Sequence, residues 1–225
     1  MIVGNGMIAT AFKNIDYDLS DYILFASGVS NSKCRDFGEF NREFLTLKNT
    51  LDNNKTLIYF STSSVFDPGL QNSEYVKHKL ILEKYIQENF KNYIIYRLPN
   101  VIGKTVNPNT MINYFSNAIW SNSTVNIFRN STRYIIDIDD VIKYVLLTKG
   151  ITNSIINLNF NIKYYVIDIW KEIEILLNKK GKSILINKGI DYDVDNSLFT
   201  KVLGEINIPD LNNENYLIKV LKKHL

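Results

Sequence analysis

Met1-Ile2-Val3-Gly4-Asn5-Gly6-Met7-Ile8-Ala9 opens the chain: a short apolar run, two glycines one residue apart, then a stretch of helical character. The spacing fits G-x-G-x-x-G/A. Glycines at such a turn let a strand pass tightly into a helix and let backbone N–H groups approach a pyrophosphate closely. Two glycines often merely turn a chain, so the motif needs its context, a strand before it and a helix after it. Both are present here.

Outward from that turn, short β-rich runs alternate with helical stretches, the pattern of an α/β protein with a mostly parallel sheet. The strands are expected at Met1–Val3, Tyr22–Ala26, Thr56–Phe60, Tyr93–Arg97 and Ser154–Leu158. Their continuous apolar character suits strands covered on both faces. Helices are expected at Met7–Asn14, Phe40–Leu51, Tyr75–Glu88, Thr110–Ile119, Asp139–Leu147, Ile167–Asn178 and Asn215–Lys223. The last carries a packing stripe of Leu217, Val220, Leu221 and Leu225. Asp67-Pro68-Gly69 is the sharpest turn signal. No repeat or Pro/Gly/Ser-rich linker divides the chain. Regular alternation weakens from about residue 107, which predicts a main domain over 1–106 plus later strands. A smaller lobe over 107–225 is interleaved with it in one compact unit.

Composition narrows the function. The chain has 225 residues, 45% hydrophobic, with a formal net charge of +3, so it supports a full core and gives no polyanion surface. We expect no nucleic-acid partner. No apolar run approaches the ~20 residues that span a bilayer, and the N-terminus lacks the regions of a signal peptide. Cys34 is the only cysteine and His78 and His224 are the only histidines, so neither a disulfide framework nor a zinc site is expected. A cytoplasmic, metal-independent protein without membrane contact is the expectation.

The dinucleotide fingerprint places an Asp or Glu about 20 residues beyond the glycines to hold the ribose hydroxyls. Here the next strand ends in Ala26-Ser27-Gly28, while Asp16, Asp18 and Asp21 all precede it. Either selectivity is built differently or the usual second strand is absent. Lys33 and Arg35 are candidates to meet a 2′-phosphate, set against plain solvation in a loop.

Tyr75 and Lys79 are four residues apart on a predicted helix and share one face. A free Tyr ionises near pH 10, too high for a neutral-pH base, and an ammonium one turn away favours the phenolate. Thr62, at a nearby strand end, offers a hydroxyl to the same substrate oxygen. Such pairs also occur on ordinary surface helices. However, Tyr75, Lys79, Leu82 and Ile86 form one stripe, where an unpaired ammonium would be costly. Lys77 and Lys84 fall elsewhere, and His78 is read as a cap or packing residue.

Together these segments resemble the extended short-chain dehydrogenase/reductase family, the NAD-dependent epimerases and dehydratases of nucleotide sugars. Gly4, Gly6 and Ala9 match its glycine motif, and Ile23 through Val29 resembles its "ihlAagv" segment. Tyr59 through Phe66 resembles "yiSTssVyg", Tyr75 and Lys79 match the YxxxK pair, and Tyr96 through Gly103 resembles "lRlpNvyG". Arg133 through Asp140 resembles "RdfihVdD". Ser61–Asp67 is nearest to the dTDP-4-dehydrorhamnose reductase group. The chain departs from the family in two places. The glycine motif and the "AaG" segment lie closer together, as though a strand–helix–strand stretch with the ribose acid were missing. The loop from Thr62 to Tyr75 is also short. Ser63-Ser64 replaces the dehydratases' Asp-Glu pair, which speaks against 4,6-dehydration.

The resemblance implies a Rossmann-like, doubly wound but shortened sheet with a small C-terminal substrate lobe. It implies NAD or NADP at Gly4, Asn5, Gly6, Met7, Ile8, Ala26, Ser27, Gly28, Tyr75, Lys79 and Pro99. Catalysis would fall to Thr62, Tyr75 and Lys79, with Thr62, Asn100 and Arg133 on a nucleotide-sugar substrate. The implied function is an NAD(P)-dependent nucleotide-sugar oxidoreductase, a 4-ketoreductase of surface-polysaccharide synthesis, with a 4-epimerase as the alternative. A different-class alternative is a nucleotide-sugar binding protein that has lost dinucleotide binding. The family's homodimer is implied too.

Overall fold

The structure, a computed structural model, describes residues 1–203 and 216–225. In chain order the first half runs β1 (Ile2–Val3), α1 (Met7–Lys13), β2 (Tyr22–Phe25), α2 (Phe37–Lys48), β3 (Thr56–Thr62), α3 (Glu74–Asn89), β4 (Tyr93–Leu98) and β5 (Asn100–Ile102). There follow α4 (Met111–Trp120), β6 (Thr124–Phe128), β7 (Thr132–Arg133), β8 (Ile135–Asp137), α5 (Ile138–Thr148) and β9 (Ser154–Asn157). The last described elements are β10 (Tyr164–Tyr165), α6 (Val166–Leu176), β11 (Lys182–Ile186), α7 (Ser197–Leu203) and α8 (Tyr216–His224).

The five strands expected from their apolar runs make one parallel sheet in the order β1-β2-β3-β4-β9. Side chains alternate across it. Ile23, Phe25, Leu57, Tyr59 and Ile95 meet Leu47 of α2 and Leu82 and Ile86 of α3. Leu24, Ile58, Phe60, Ile94 and Tyr96 meet Phe12 of α1, Val141, Tyr144 and Val145 of α5, and Phe199 and Leu203 of α7. Both faces are therefore covered, which is why the strands read as unbroken apolar runs. The mostly parallel, Rossmann-like and shortened α/β sheet is the fold expected from sequence.

The strand order never reverses. Steps β1→β2 and β2→β3 run the same way across the sheet, but α1 and α2 lie on opposite faces. The two connections therefore have opposite hands. Parallel crossovers are right-handed in about 98% of cases, so one of these two is of the uncommon hand. The result preserves a crevice. Between β1 and β2 the following helices part to opposite faces, which opens the space outside the strand ends where α/β sheets take ligands. It also leaves β1 as an edge strand, with β2 its single neighbour among the described residues.

A second core lies beyond the sheet. Phe115 and Ile119 of α4, Val125 and Ile127 of β6, Ile169, Trp170 and Ile173 of α6, and Leu217, Val220 and Leu221 of α8 form it. Its ladders are short: β5 with β8, β6 with β11, and β7 with β10.

Several boundaries differ from expectation. Helix α2 begins at Phe37 rather than Phe40, because Asp36 accepts from Gly38 and Glu39 N–H as its N-cap. Strand β3 runs on to Thr62. Helix α7 was not anticipated. The start expected at Asn215 lies outside the described residues. Leu225, placed on the final stripe, is exposed because α8 ends at His224.

Candidate active site

A cavity of about 620 Å³ opens at the C-terminal ends of β1 to β4, against the second core. The glycine turn brings Gly6, Met7 and Ile8 to it, and the loop after β2 brings Ala26 and Gly28. Thr62 ends β3, Tyr75 and Lys79 come from α3, and Pro99, Asn100 and Arg133 complete the set. Three expected cofactor contacts, Gly4, Asn5 and Ser27, are not among the residues lining it. Asn5 Oδ1 accepts from Lys13, and Ser27 pairs with Arg42.

The two glycines work differently. Gly4 has φ +125°, and a Cβ there would meet Ala26 O at 2.3 Å, so glycine is required for the chain to pass β2. At Gly6 an added Cβ would meet nothing within 4 Å. It faces open space.

Lys79 is 2% exposed, and the buried partner its stripe calls for is Glu43 of α2, itself 0% exposed. Lys79 Nζ donates to Glu43 Oε1 at 2.8 Å and to Tyr59 OH at 3.2 Å. An ammonium has three hydrogens to donate, so one remains for a ligand. Glu43 is fully engaged: Oε1 also accepts from Tyr59 OH at 2.8 Å, and Oε2 accepts from Val29 N–H at 2.8 Å and His78 Nε2 at 3.0 Å. Burial alone would raise its pKa. The Lys79 charge and the hydrogen bonds from His78, Lys79 and Val29 outweigh burial and hold it at about 2. Gly28 makes room for this pair, since a Cβ there would meet Lys79 Nζ at 2.7 Å and Glu43 Oε1 at 2.8 Å. His78 packs, stacked on Phe40 at 4.5 Å.

The two tyrosines beside Lys79 are sorted by environment. Tyr59 is fully buried, and burial together with the Glu43 charge pushes its pKa well up, so it stays a neutral donor. Tyr75, whose ring lies 5.9 Å from Lys79 Nζ, has no hydrogen-bond partner for its hydroxyl among the described residues. Thr62 Oγ1 accepts from Ser64 N–H, which leaves its own hydrogen to donate. A second buried carboxylate, Glu83, takes two bonds from Arg97 at 2.6 and 3.0 Å and one from Ser61 at 2.5 Å. It ties α3 to the ends of β3 and β4, and so fixes where Thr62 stands relative to Tyr75.

The cavity's cations are largely neutralised. Lys79 faces Glu43, and Arg133 lies 3.5 Å from buried Asp67; His224, also at the cavity, lies 3.1 Å from Asp137. Lys33 reaches the cavity over the Tyr114 ring at 5.6 Å, with no carboxylate in ion-pair range among the described residues. Arg35 does not line it. Sequence reasoning missed Glu43, Asp67, Tyr192 and His224 as cavity or supporting groups. The one available signal was the cost of an unpaired Lys79, which demanded a buried acid without naming it.

No family model and no curated protein matches the chain. Solved structures do. The dTDP-glucose 4,6-dehydratase of Bacillus anthracis, in complex with NAD, superposes with a TM-score of 0.67 at 15% identity, over 90% of this chain and 71% of that one. The UDP-glucuronic acid 4-epimerase of Bacillus cereus, with UDP-glucuronic acid and NAD, gives 0.64 at 17% identity over 90% and 83%. RMD from Pseudomonas aeruginosa, complexed with NADPH, gives 0.61 at 13% identity over 84% and 76%. The chain has the fold of these NAD-dependent epimerases, dehydratases and reductases. Among the described residues, no helix is long and apolar enough to cross a membrane, and no group of acidic, His and Cys side chains is placed to hold a metal ion.

Proposed function

We propose that this chain is an NAD(P)-dependent oxidoreductase of nucleotide sugars, acting as a 4-ketoreductase in surface-polysaccharide synthesis. The observation that carries the reading is the meeting of Tyr75, Lys79 and Thr62 on one cavity with Gly6, Pro99, Asn100 and Arg133. The residues fit the nicotinamide half of a dinucleotide: Gly6 leaves open space, and both the Tyr75 hydroxyl and one Lys79 hydrogen are unclaimed among the described residues. Gly6, Met7, Ile8, Ala26, Gly28, Pro99 and Lys79 would hold it. Bound there, the nicotinamide supplies a hydride to the carbonyl carbon.

The chain's own residues manage the oxygen. Thr62 donates a hydrogen bond to it and orients it. Tyr75 gives it a proton, acting as general acid. Lys79, fixed by Glu43, steadies the charge left on Tyr75. Asn100 and Arg133 hold the sugar and the diphosphate, and the second core, from about residue 107, serves as the substrate lobe. A homodimer and a cytoplasmic setting belong to the same reading. Purified protein given NADH or NADPH and a 4-keto nucleotide sugar should oxidise the cofactor, and Tyr75→Phe should abolish the reaction. No oxidation of either cofactor would sink the proposal.

The edge position of β1 favours a second reading, a nucleotide-sugar binding protein without dinucleotide affinity. Calorimetry separates the two: nucleotide-sugar binding with no dinucleotide binding would favour this second reading. The same edge argues against a 4-epimerase, which must retain its NAD through the reaction.

A further inference from the structure

Helix α8 offers only a packing stripe to a sequence reading, yet its last residue reaches the cavity. The His224 side chain is 7% exposed, and the residue joins the cavity lining. Nε2 lies 3.1 Å from Asp137 Oδ1. A carboxylate only accepts, so Nε2 carries the hydrogen. The other ring nitrogen, Nδ1, is buried and has no hydrogen-bond partner among the described residues. In the neutral ring that nitrogen is an acceptor.

Asp137 is held firmly. Its Oδ1 also accepts from Asp139 N–H at 3.0 Å, its Oδ2 from Lys223 at 2.8 Å, and its own N–H bonds the Tyr216 hydroxyl at 2.9 Å. Tyr216 in turn donates to Asp140 at 2.6 Å. These contacts already anchor α8, so the anchor does not need an imidazole. An anchoring role would use Nε2 alone and leave a buried polar nitrogen unmatched, which costs stability with no return. Position points the same way. Asp137 pairs in register with Ile102, and the next residue, Gly103, packs against Met7 Sδ of the glycine turn. The dyad stands where the second core meets that turn.

We propose that Asp137 and His224 form a further ligand-binding pair of this cavity, in which Nδ1 accepts a hydrogen bond from a sugar hydroxyl of the bound ligand. The proposal rests on the reading of the cavity as a site for sugar-bearing nucleotides. The hydroxyl belongs either to the sugar of a nucleotide sugar or to a ribose of the dinucleotide.

Since His78 and His224 are the only histidines, ¹⁵N-histidine NMR reads the pair directly, with His224→Phe assigning its two resonances by their loss. Wild-type protein is titrated with UDP-glucose in one arm and NADH in the other, with binding followed by calorimetry. The Nδ1 resonance should move on saturation in one arm, which identifies the source of the hydroxyl, and His224→Phe should weaken that ligand about five- to tenfold. If His224→Phe fails to fold, His78→Phe or His224→Gln supplies the assignment by the same loss of signal, and the wild-type titration still decides. Saturation by either ligand with Nδ1 unmoved in both arms overturns the pair alone. Binding of neither ligand overturns the reading of the cavity and the pair with it.

Discussion

The two ends of the cavity are built to opposite standards. Around Lys79, two buried carboxylates, a buried phenol, a backbone N–H and a stacked histidine fix α2, α3 and β3 against one another. Around Gly6 there is open space, and β1 beside it has no outer neighbour among the described residues. The Lys79 end depends on contacts between segments that are all present. The other end would need a strand beyond β1, and residues 14–21 lead from α1 straight to β2 instead. The comparison also shows that a crevice at the strand ends does not require the strand order to reverse. It requires neighbouring strands whose helices leave by opposite faces, and a crossover of unusual hand meets that requirement.

The largest effects should arise at the tightly built end. Tyr75→Phe removes the proposed proton donor and should lower kcat by about 10²- to 10⁴-fold with the fold intact, as circular dichroism and steady-state kinetics would show. Equal turnover by the variant would transfer the proton step elsewhere. Glu43→Ala strands Lys79 in the interior and should destabilise the protein by about 3–5 kcal/mol in urea unfolding. The double variant Glu43→Leu with Lys79→Met should recover much of that stability without activity. Such a split would show that the buried pair is kept for positioning.

Acid offers a milder route to the same pair. Glu43 titrates at about 2 in the fold against an ordinary 4.5, so its ionised form stabilises the fold fully above about pH 4.5. That stabilisation, about 3 kcal/mol, drains away as the pH falls toward 2. Urea midpoints measured against pH should fall more steeply for wild type than for Glu43→Gln across this window. Parallel curves would mean that Glu43 is not held in its charged form.

The glycine turn tests both ends of the comparison at once. Gly4→Ala forces a Cβ into Ala26 O at a positive φ and should cost about 2 kcal/mol or more. Gly6→Ala meets no neighbour, so its stability should stay within about 0.5 kcal/mol while dinucleotide affinity falls. Thermal unfolding alongside calorimetry distinguishes a glycine kept for the fold from one kept for a ligand.

These contrasts follow what a sequence can encode. The five main strands were legible because burial on both faces leaves unbroken apolar runs such as Leu57–Phe60. The Tyr75–Lys79 pair was legible because helical spacing is local. Glu43 was not, since its partner lies 36 residues away and an acid in the pattern Asn-Arg-Glu-Phe reads as a solvated helix face. Strands β5, β7, β8 and β10 escaped because two or three residues carry no period. Asp137 and His224 meet across 87 residues, through the packing of α8, which its apolar stripe predicted without indicating what the helix end would touch.

The smallest expected effect bears on the open end. Binding energy comes from surface that the protein covers, and an adenosine extending past an edge strand has little protein to meet. Reduced nicotinamide mononucleotide should therefore replace NADH with less than about a tenfold loss in kcat/KM, no more than about 1.4 kcal/mol. A complete fingerprint, with an acid holding the ribose hydroxyls, would make that loss far larger, because each hydroxyl–carboxylate bond to a charged partner contributes about 1.5–3 kcal/mol. A large loss would mean that another group closes over the adenosine, Lys33 being a cavity cation with no carboxylate in ion-pair range among the described residues. The mononucleotide comparison thus measures how much of the proposed cofactor site depends on protein beyond β1.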